Sequence, residues 1–337
     1  MSAQVHPRVA FLIPEATIER VFTAETLEHL RRVVDLRAIA GDGAAISAAI
    51  PELLDGAEAC LTGWGTPPLI EATLNAAPSL RLIAHTAGSV KRLIPASVFE
   101  RGIAVSHAAN IIADAVAEFA ILNILLGLRR VHEMDRAMKS GGAWREAAVR
   151  EQRQLASRTV GVVGAGYVGR KVIRFLAPFG PRVVVYDPYL SATDAAALGV
   201  TSVGLNDLFA ESEVVTIHAP ITPETHHLVG AEQLALLQDG AVFVNCGRSW
   251  TVDQDALLST LRTGRIWAAL DVFDEEPLPA DSPFRGLSNT LITPHQAGYT
   301  LETYLRQGQA MVEEIERFFA GQPLKYQIRP EAFAVMA

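Results

Sequence analysis

Along this chain, short apolar runs alternate with longer segments whose apolar residues recur at helical spacing. In the first hundred residues the runs are "RVAFLIP" (8–14), "AEACLTG" (57–63), "LRLIAHT" (80–86) and "GIAVSHA" (102–108). Each reads as a buried strand ended by turn residues. Between them, "TAETLEHLRRV", "GAAISAAIPELL" and "PPLIEATLNAA" place apolar residues every three or four positions, as one face of a helix requires. Strands fed by helices in this way predict parallel pairing with crossover connections.

A long helical region follows, predicted over roughly 111–139 with Asn110 as its N-cap. Its early part, "AVAEFAILNILLGL", is apolar nearly all round but carries Glu118 and Asn123. It is shorter than the ~20 apolar residues that a membrane span needs. The prediction is therefore a buried helix, covered by a domain junction or a subunit interface, and no membrane association. "KSGGAWREAAVREQRQLASR" then reads as a loop-rich connection.

The second alternation is more regular. Strands are predicted at "TVGVVG", "PRVVVYD", "VTSV", "EVVTIHAP", "GAVFVNCG", "IWAALDVF" and "NTLITPH", with helices such as 167–177, 230–237 and 253–263 between them. The pattern implies an α/β chain with a doubly wound parallel sheet, whose ligands bind beyond the carboxyl ends of the strands. "LETYLRQGQAMVEEIERFFAGQ" closes the chain as a helix able to return to the first domain.

With 337 residues there is room for two domains. The formal charge of −8 argues against a nucleic-acid surface. Cys60 and Cys246 are the only cysteines, so no disulfide framework is expected. With no signal-peptide pattern in the first twenty residues, a reducing, cytoplasmic compartment is predicted. No metal is expected.

The chemistry starts at "TVGVVGAGYVGRKVIRFL", a strand, then Gly164-x-Gly166-x-x-Gly169, then a helix. Gly164 permits the tight turn, Gly166 lets backbone approach a pyrophosphate, and Gly169 allows helix and strand to pack closely. The next strand ends in Asp187, whose carboxylate can accept hydrogen bonds from ribose hydroxyls and would repel a 2′-phosphate. No Arg or Lys follows it in "YDPYLSATD", so NAD is predicted over NADP.

Three later strands end in reactive residues. Arg248 follows the strand 241–245, Asp271 and then Glu276 follow 266–270, and His295 follows the last strand in "ITPHQAG". Hydride transfer to a 2-oxo acid builds negative charge on the C2 oxygen, so a proton donor must stand close; His295 can give that proton and take it back. Glu276 can fix the imidazole, and the planar fork of Arg248 can hold the substrate carboxylate.

From "AVAEFAILNILLGLRR" through "TVGVVGAGYVGRKV", "HAPITPETHHLVG", "VNCGRSWTVDQDAL" and "ALDVFDEEPLP" to "TPHQAG", residues 110–300 resemble the D-isomer-specific 2-hydroxyacid dehydrogenases. The resemblance implies a Rossmann NAD domain, 109–296, inserted into a flavodoxin-like substrate domain, 1–108 with 297–337. It places the catalytic trio on Arg248, Glu276 and His295. It also implies that Tyr167 and Val168 contact the pyrophosphate, that Pro220 and Cys246 line the nicotinamide, and that Asp271 holds its carboxamide. Ala87, Gly88 and Ser89 align with the loop whose amides hold the substrate carboxylate, and a homodimer through the NAD domain is implied.

Departures from the family pattern are Ser249 and Trp250 after Arg248, Gln296 after His295, and Lys91 and Arg92 in the 84–95 loop. They leave the identity of the 2-oxo or 2-hydroxy acid open. With no regulatory domain after residue 320, a serine-feedback phosphoglycerate dehydrogenase is not expected. A non-catalytic NAD(H)-sensing scaffold and a phosphite-type dehydrogenase remain as alternatives. Glu276 speaks against formate dehydrogenase, which needs no proton transfer.

Overall fold

A computed structural model describes residues 6–145 and 152–336; what the sequence implies for 1–5, 146–151 and 337 lies outside the described residues. The chain divides into two compact units, Met1–Ile112 with Tyr299–Ala337, and Ala113–Gly298. The breaks thus fall at 112/113 and 298/299, where the sequence reading drew them at 108/109 and 296/297.

The first unit holds strands β1 (Arg8–Phe11), β2 (Asp35–Ala38), β3 (Ala59–Thr62), β4 (Leu82–His85) and β5 (Ala104–His107). All pair in parallel in the order β2-β1-β3-β4-β5, the flavodoxin-like order. The two-residue period of a strand sorts its side chains onto two covered faces. Val9, Phe11 and Ile13 pack with Leu61 and Leu82 against Met311 and Ile315 of the helix Leu301–Phe319. The intervening Ala10 and Leu12 pack with Cys60 and Ile83 against Ile46, Ile50 and Leu53 of the helix Gly43–Leu54. Each fully buried Leu or Ile contributes about 1.5–3 kcal/mol. Burial on both faces is why these strands read as unbroken apolar runs.

Strand β2 was not predicted. Its sequence, DLRA, is largely exposed and carries two charges, with Asp35 taking ion pairs from Arg8 and Arg37. Charged residues of this kind are common on edge strands, where they discourage pairing with other chains, and they erase the hydrophobic signal. At the far end of the unit, Thr300 caps Leu301–Phe319 by accepting the Thr303 N–H at 3.1 Å.

The second unit holds β6 (Thr159–Val163), β7 (Arg182–Tyr186), β8 (Thr201–Ser202), β9 (Val214–Ile217), β10 (Val242–Asn245), β11 (Trp267–Leu270) and β12 (Thr290–Ile292). These are parallel in the order β12-β11-β10-β9-β6-β7-β8. That is the Rossmann order with one added strand, and it reverses direction between β6 and β9. Phe209, Leu234, Leu257 and Leu261 cover one face, over Val163, Val215, Phe243 and Leu270.

The helix predicted over 111–139 is two helices, Ala109–Arg129 and Val131–Lys139, separated by Arg130 in the left-handed region at φ 54°. The Arg153 N–H takes the Leu128 carbonyl at 3.0 Å, satisfying one of the carbonyls that the end of the first helix leaves open. Asn110 lies inside the first turn rather than capping it, since the helix begins at Ala109. Among the described residues, Ala109–Arg129 is the helix long and apolar enough to cross a membrane, and more than half of its apolar window is buried.

Candidate active site

The switch point between β6 and β9 carries the glycine motif. Gly164 sits at φ 95°, and a Cβ there would come within 2.8 Å of the His218 and Ala219 backbone. At Gly169 a Cβ would lie 2.0 Å from the Gly164 carbonyl oxygen, so the helix Tyr167–Leu176 can approach β6 only without it. Around Gly166, by contrast, the Cβ direction is open space, and no side chain caps the helix that it begins. First-turn N–H groups facing open space suit a pyrophosphate. Tyr167 is exposed and Val168 half-buried beside this opening.

Asp187 follows β7 and is half-buried. It accepts the Ala165 N–H at 2.6 Å on one oxygen and the Tyr189 N–H at 2.8 Å on the other. It therefore shapes the "DPY" turn and ties the glycine loop at the same time. A carboxylate has about four acceptor positions, so two remain for ribose hydroxyls. The residues present fit a dinucleotide lacking a 2′-phosphate.

The three predicted catalytic side chains lie beyond the neighbouring strands β10, β11 and β12. Past β10, the buried Asn245 accepts the Gly247 N–H at 3.1 Å and donates to the Arg248 carbonyl at 3.1 Å, with Thr251 donating to that same carbonyl at 2.9 Å. This clamp sets the turn from which Arg248 projects. Past β11, Glu276 turns back so that one oxygen accepts the Phe273 N–H at 2.9 Å and the other meets His295 Nδ1 at 2.7 Å. An ionised carboxylate only accepts, so Nδ1 carries the proton and Nε2 is left for chemistry.

Burial resists charge on Glu276. The hydrogen bonds from His295 and the Phe273 amide, with the nearby charges of His295 and Arg248, outweigh it and leave the carboxyl below its ordinary pKa. The Arg248 guanidinium donates from Nη1 to the Gly247 carbonyl at 2.8 Å. An open cavity of about 600 Å³ lies beside Glu276 and His295, between Phe273, Leu278, Arg285 and Pro294.

His295 is itself in the left-handed region, at φ 54°. Such a conformation costs a non-glycine residue energy and persists only where surroundings impose it. Asp271, only 1 % exposed, imposes it. One of its oxygens accepts from Thr293 Oγ1 at 2.6 Å and from the Gln296 N–H at 2.8 Å, and the other accepts the Ala297 N–H at 2.8 Å. The family resemblance implies that Asp271 also holds a carboxamide; in the structure it accepts three hydrogen bonds from the histidine loop. Cys246, also at this edge, is buried and receives the Asn123 amide at 3.6 Å, and burial pushes its thiol up, so it remains protonated. Pro220 lies after β9, its carbonyl accepting from Thr225 at 2.6 Å.

In the other unit, Ala87, Gly88 and Ser89 follow β4. No backbone acceptor meets the N–H groups of residues 87–90 among the described residues. Successive open donors of this kind form an anion-binding concavity.

Residues 121–297 match the family model for the NAD binding domain of D-isomer specific 2-hydroxyacid dehydrogenases. The chain belongs to this family. Glyoxylate reductase of Korarchaeum cryptofilum is 35% identical over 261 residues, 76% of this chain and 78% of that protein. D-3-phosphoglycerate dehydrogenase of Mycobacterium leprae is 33% identical over 312 residues, 92% of this chain but 58% of that longer protein. A phosphoglycerate oxidoreductase from Rhizobium etli superposes with TM-score 0.80 and 28% identity, covering 96% of this chain and 99% of that one. D-mandelate dehydrogenase of Rhodotorula graminis, at 23% identity and TM-score 0.83 over 96% and 98%, shares the fold. This family member is an NAD-dependent oxidoreductase.

Proposed function

We propose that this dehydrogenase interconverts a small 2-oxo acid and its D-2-hydroxy acid through Arg248, Glu276 and His295. The observation that carries this reading is the 2.7 Å contact between His295 Nδ1 and Glu276, with Arg248 beyond the adjacent strand. Bound NAD(H) supplies or accepts the hydride. Everything else falls to the chain's own groups. With Nδ1 held by Glu276, the imidazolium form of His295 gives its Nε2 proton to the developing C2 alkoxide and is left neutral; in the oxidative direction the bare Nε2 of the neutral ring takes that proton back. Arg248 binds the substrate carboxylate through its planar fork and stabilises charge on the reacting oxygen. In the first unit, the Ala87, Gly88 and Ser89 amides form a carboxylate-holding loop. Glyoxylate heads the candidate substrates, because the glyoxylate reductase relative is matched over most of its length.

The test is NADH oxidation with a panel of glyoxylate, hydroxypyruvate, pyruvate and bulkier 2-oxo acids. Turnover is expected with at least one small member. Tight NADH binding with no turnover of any would replace the proposal with a nucleotide sensor. Arg248→Ala should raise KM for the substrate more than tenfold, from loss of a charge-assisted hydrogen bond of about 1.5–3 kcal/mol; an unchanged KM would contradict its anchoring role.

The same reading includes a homodimer through the NAD-binding unit. Leu122, Val131 and Met138 are exposed on its two first helices, an apolar surface suited to a second copy. Sedimentation should show a dimer, and Leu122→Glu should weaken it; a monomeric native protein would end this part of the proposal.

A further inference from the structure

Two histidines in the first unit stand outside the chemistry derived above. His85 and His107 are the last residues of β4 and β5 and face each other in register, with Thr62 opposite His85 on β3. Paired positions in parallel strands share a face, so the three side chains form a row under the loop that follows β4. Both imidazoles are buried, each only 4 % exposed. Burial drives His85 down to about 3, with His107 adding to the effect, and burial lowers His107 as well. Each ring is therefore neutral near pH 7 and offers one N–H and one acceptor nitrogen.

Both rings place a polar contact against the loop. His107 Nδ1 lies 2.8 Å from the Gly88 carbonyl oxygen. His85 Nδ1 lies 3.0 Å from Thr62 Oγ1, and a backbone hydrogen bond joins the same ring to Ser89. A neutral ring has one donor and one acceptor nitrogen with which to meet the Thr62 hydroxyl and the Ser89 backbone. In a trans peptide the carbonyl and the following N–H point in opposite directions. Drawing the Gly88 carbonyl inward therefore turns the Ser89 N–H outward, and no backbone acceptor meets it among the described residues.

We propose that His85 and His107 are positioning residues whose buried imidazoles aim the loop amides at the substrate carboxylate. This rests on the reading of the 87–89 loop as the carboxylate holder. A histidine that only filled core space could be replaced by any group of its volume. A positioning histidine can be replaced only by a group that keeps the N–H donor.

The experiment uses the full protein with NADH, the best 2-oxo acid of the panel, and oxamate as an inert carboxylate analogue. His107→Phe keeps a ring and removes the donor; His107→Asn restores an N–H close to the position of Nδ1. His107→Phe should raise both KM and the oxamate dissociation constant about fivefold to tenfold, the loss of one oriented hydrogen bond. NADH affinity should stay unchanged and kcat should move far less than KM. His107→Asn should recover most of the loss, and His85→Phe should behave like His107→Phe. Equal defects in the Phe and Asn variants, or an unchanged KM in a folded His107→Phe protein, would overturn the proposal. Hydrogen exchange of residues 86–92 in the native protein separates the two layers without any substitution. Slower exchange on adding NADH and oxamate supports the loop as carboxylate holder. Unaltered exchange removes that reading, and the proposal with it, whatever the variants do.

Discussion

At the ends of β10, β11 and β12 the second unit presents Arg248, Glu276 and His295 partly in water, whereas at the ends of β3, β4 and β5 the first unit buries Thr62, His85 and His107. The two sheets share parallel pairing and covered faces, so architecture does not explain the difference. Solvation does. A group that must change charge during a reaction keeps contact with water or a counter-charge, and His295, to which the proposed mechanism gives that task, has a side chain 41% exposed against Glu276. A group that only orients backbone does better neutral and dry, where its hydrogen bond is strong and unshared. On the proposed reading, one edge works through ionisable side chains and the other through amides held by ionisable side chains kept uncharged.

The sharpest way to break this contrast is His295→Ala. It should lower kcat by about 10²–10⁴-fold while NADH binding persists. A loss below tenfold would show that the proton comes from elsewhere.

Acid comes next, and it should strike the dry edge. The folded state holds His85 at about 3, below the ~6.5 of an unfolded imidazole, so the unfolded chain binds more protons once pH drops below 6.5. The stability His85 contributes is complete above that pH and is lost as pH falls toward 3. Between pH 8 and pH 5 this amounts to roughly 2 kcal/mol. Denaturant melts at the two pH values measure it, and His85→Phe should flatten the slope. An equal slope in native and variant proteins would place the acid sensitivity elsewhere.

Asp271→Asn sharpens the other edge. It swaps the oxygen that accepts the Ala297 N–H for a competing donor and should cost about 1–3 kcal/mol of stability, with kcat falling more than KM rises as the His295 loop loosens. Unchanged stability and kcat would mean that the loop holds its shape without the carboxylate. The smallest effect is expected at Asp187→Ala. Losing one negative charge near the adenosine ribose should narrow the preference for NAD over NADP by about tenfold, as the ratio of the two kcat/KM values would show. An unaltered ratio would leave Asp187 as a turn former only.

Much of the fold was legible because burial on both faces writes itself as apolar runs, and because glycines at 164 and 169 obey a backbone constraint. The edge strand Asp35–Ala38 escaped because charge replaces hydrophobicity there. The break at Arg130 escaped because the partner that meets the end of the first helix, the Arg153 amide, lies more than twenty residues onward. At the site, Arg248, Glu276 and His295 were visible as reactive residues after consecutive apolar runs. Asn245, the hold of Asp271 on the histidine loop, and the partners of His85 and His107 were not. "LIAH" and "AVSH" do place a histidine at the end of each of two strands, which was the one available signal.

By itself the sequence determined which apolar segments are strands, in what order they come, and which reactive side chains follow them, because periodicity and turn chemistry are local. Only the tertiary structure decided that β10, β11 and β12 lie side by side, that Glu276 reaches His295 at 2.7 Å, and that two histidines end up dry beneath a loop. Strand neighbours and burial are set by the packing of segments distant in the chain, so no local pattern records them.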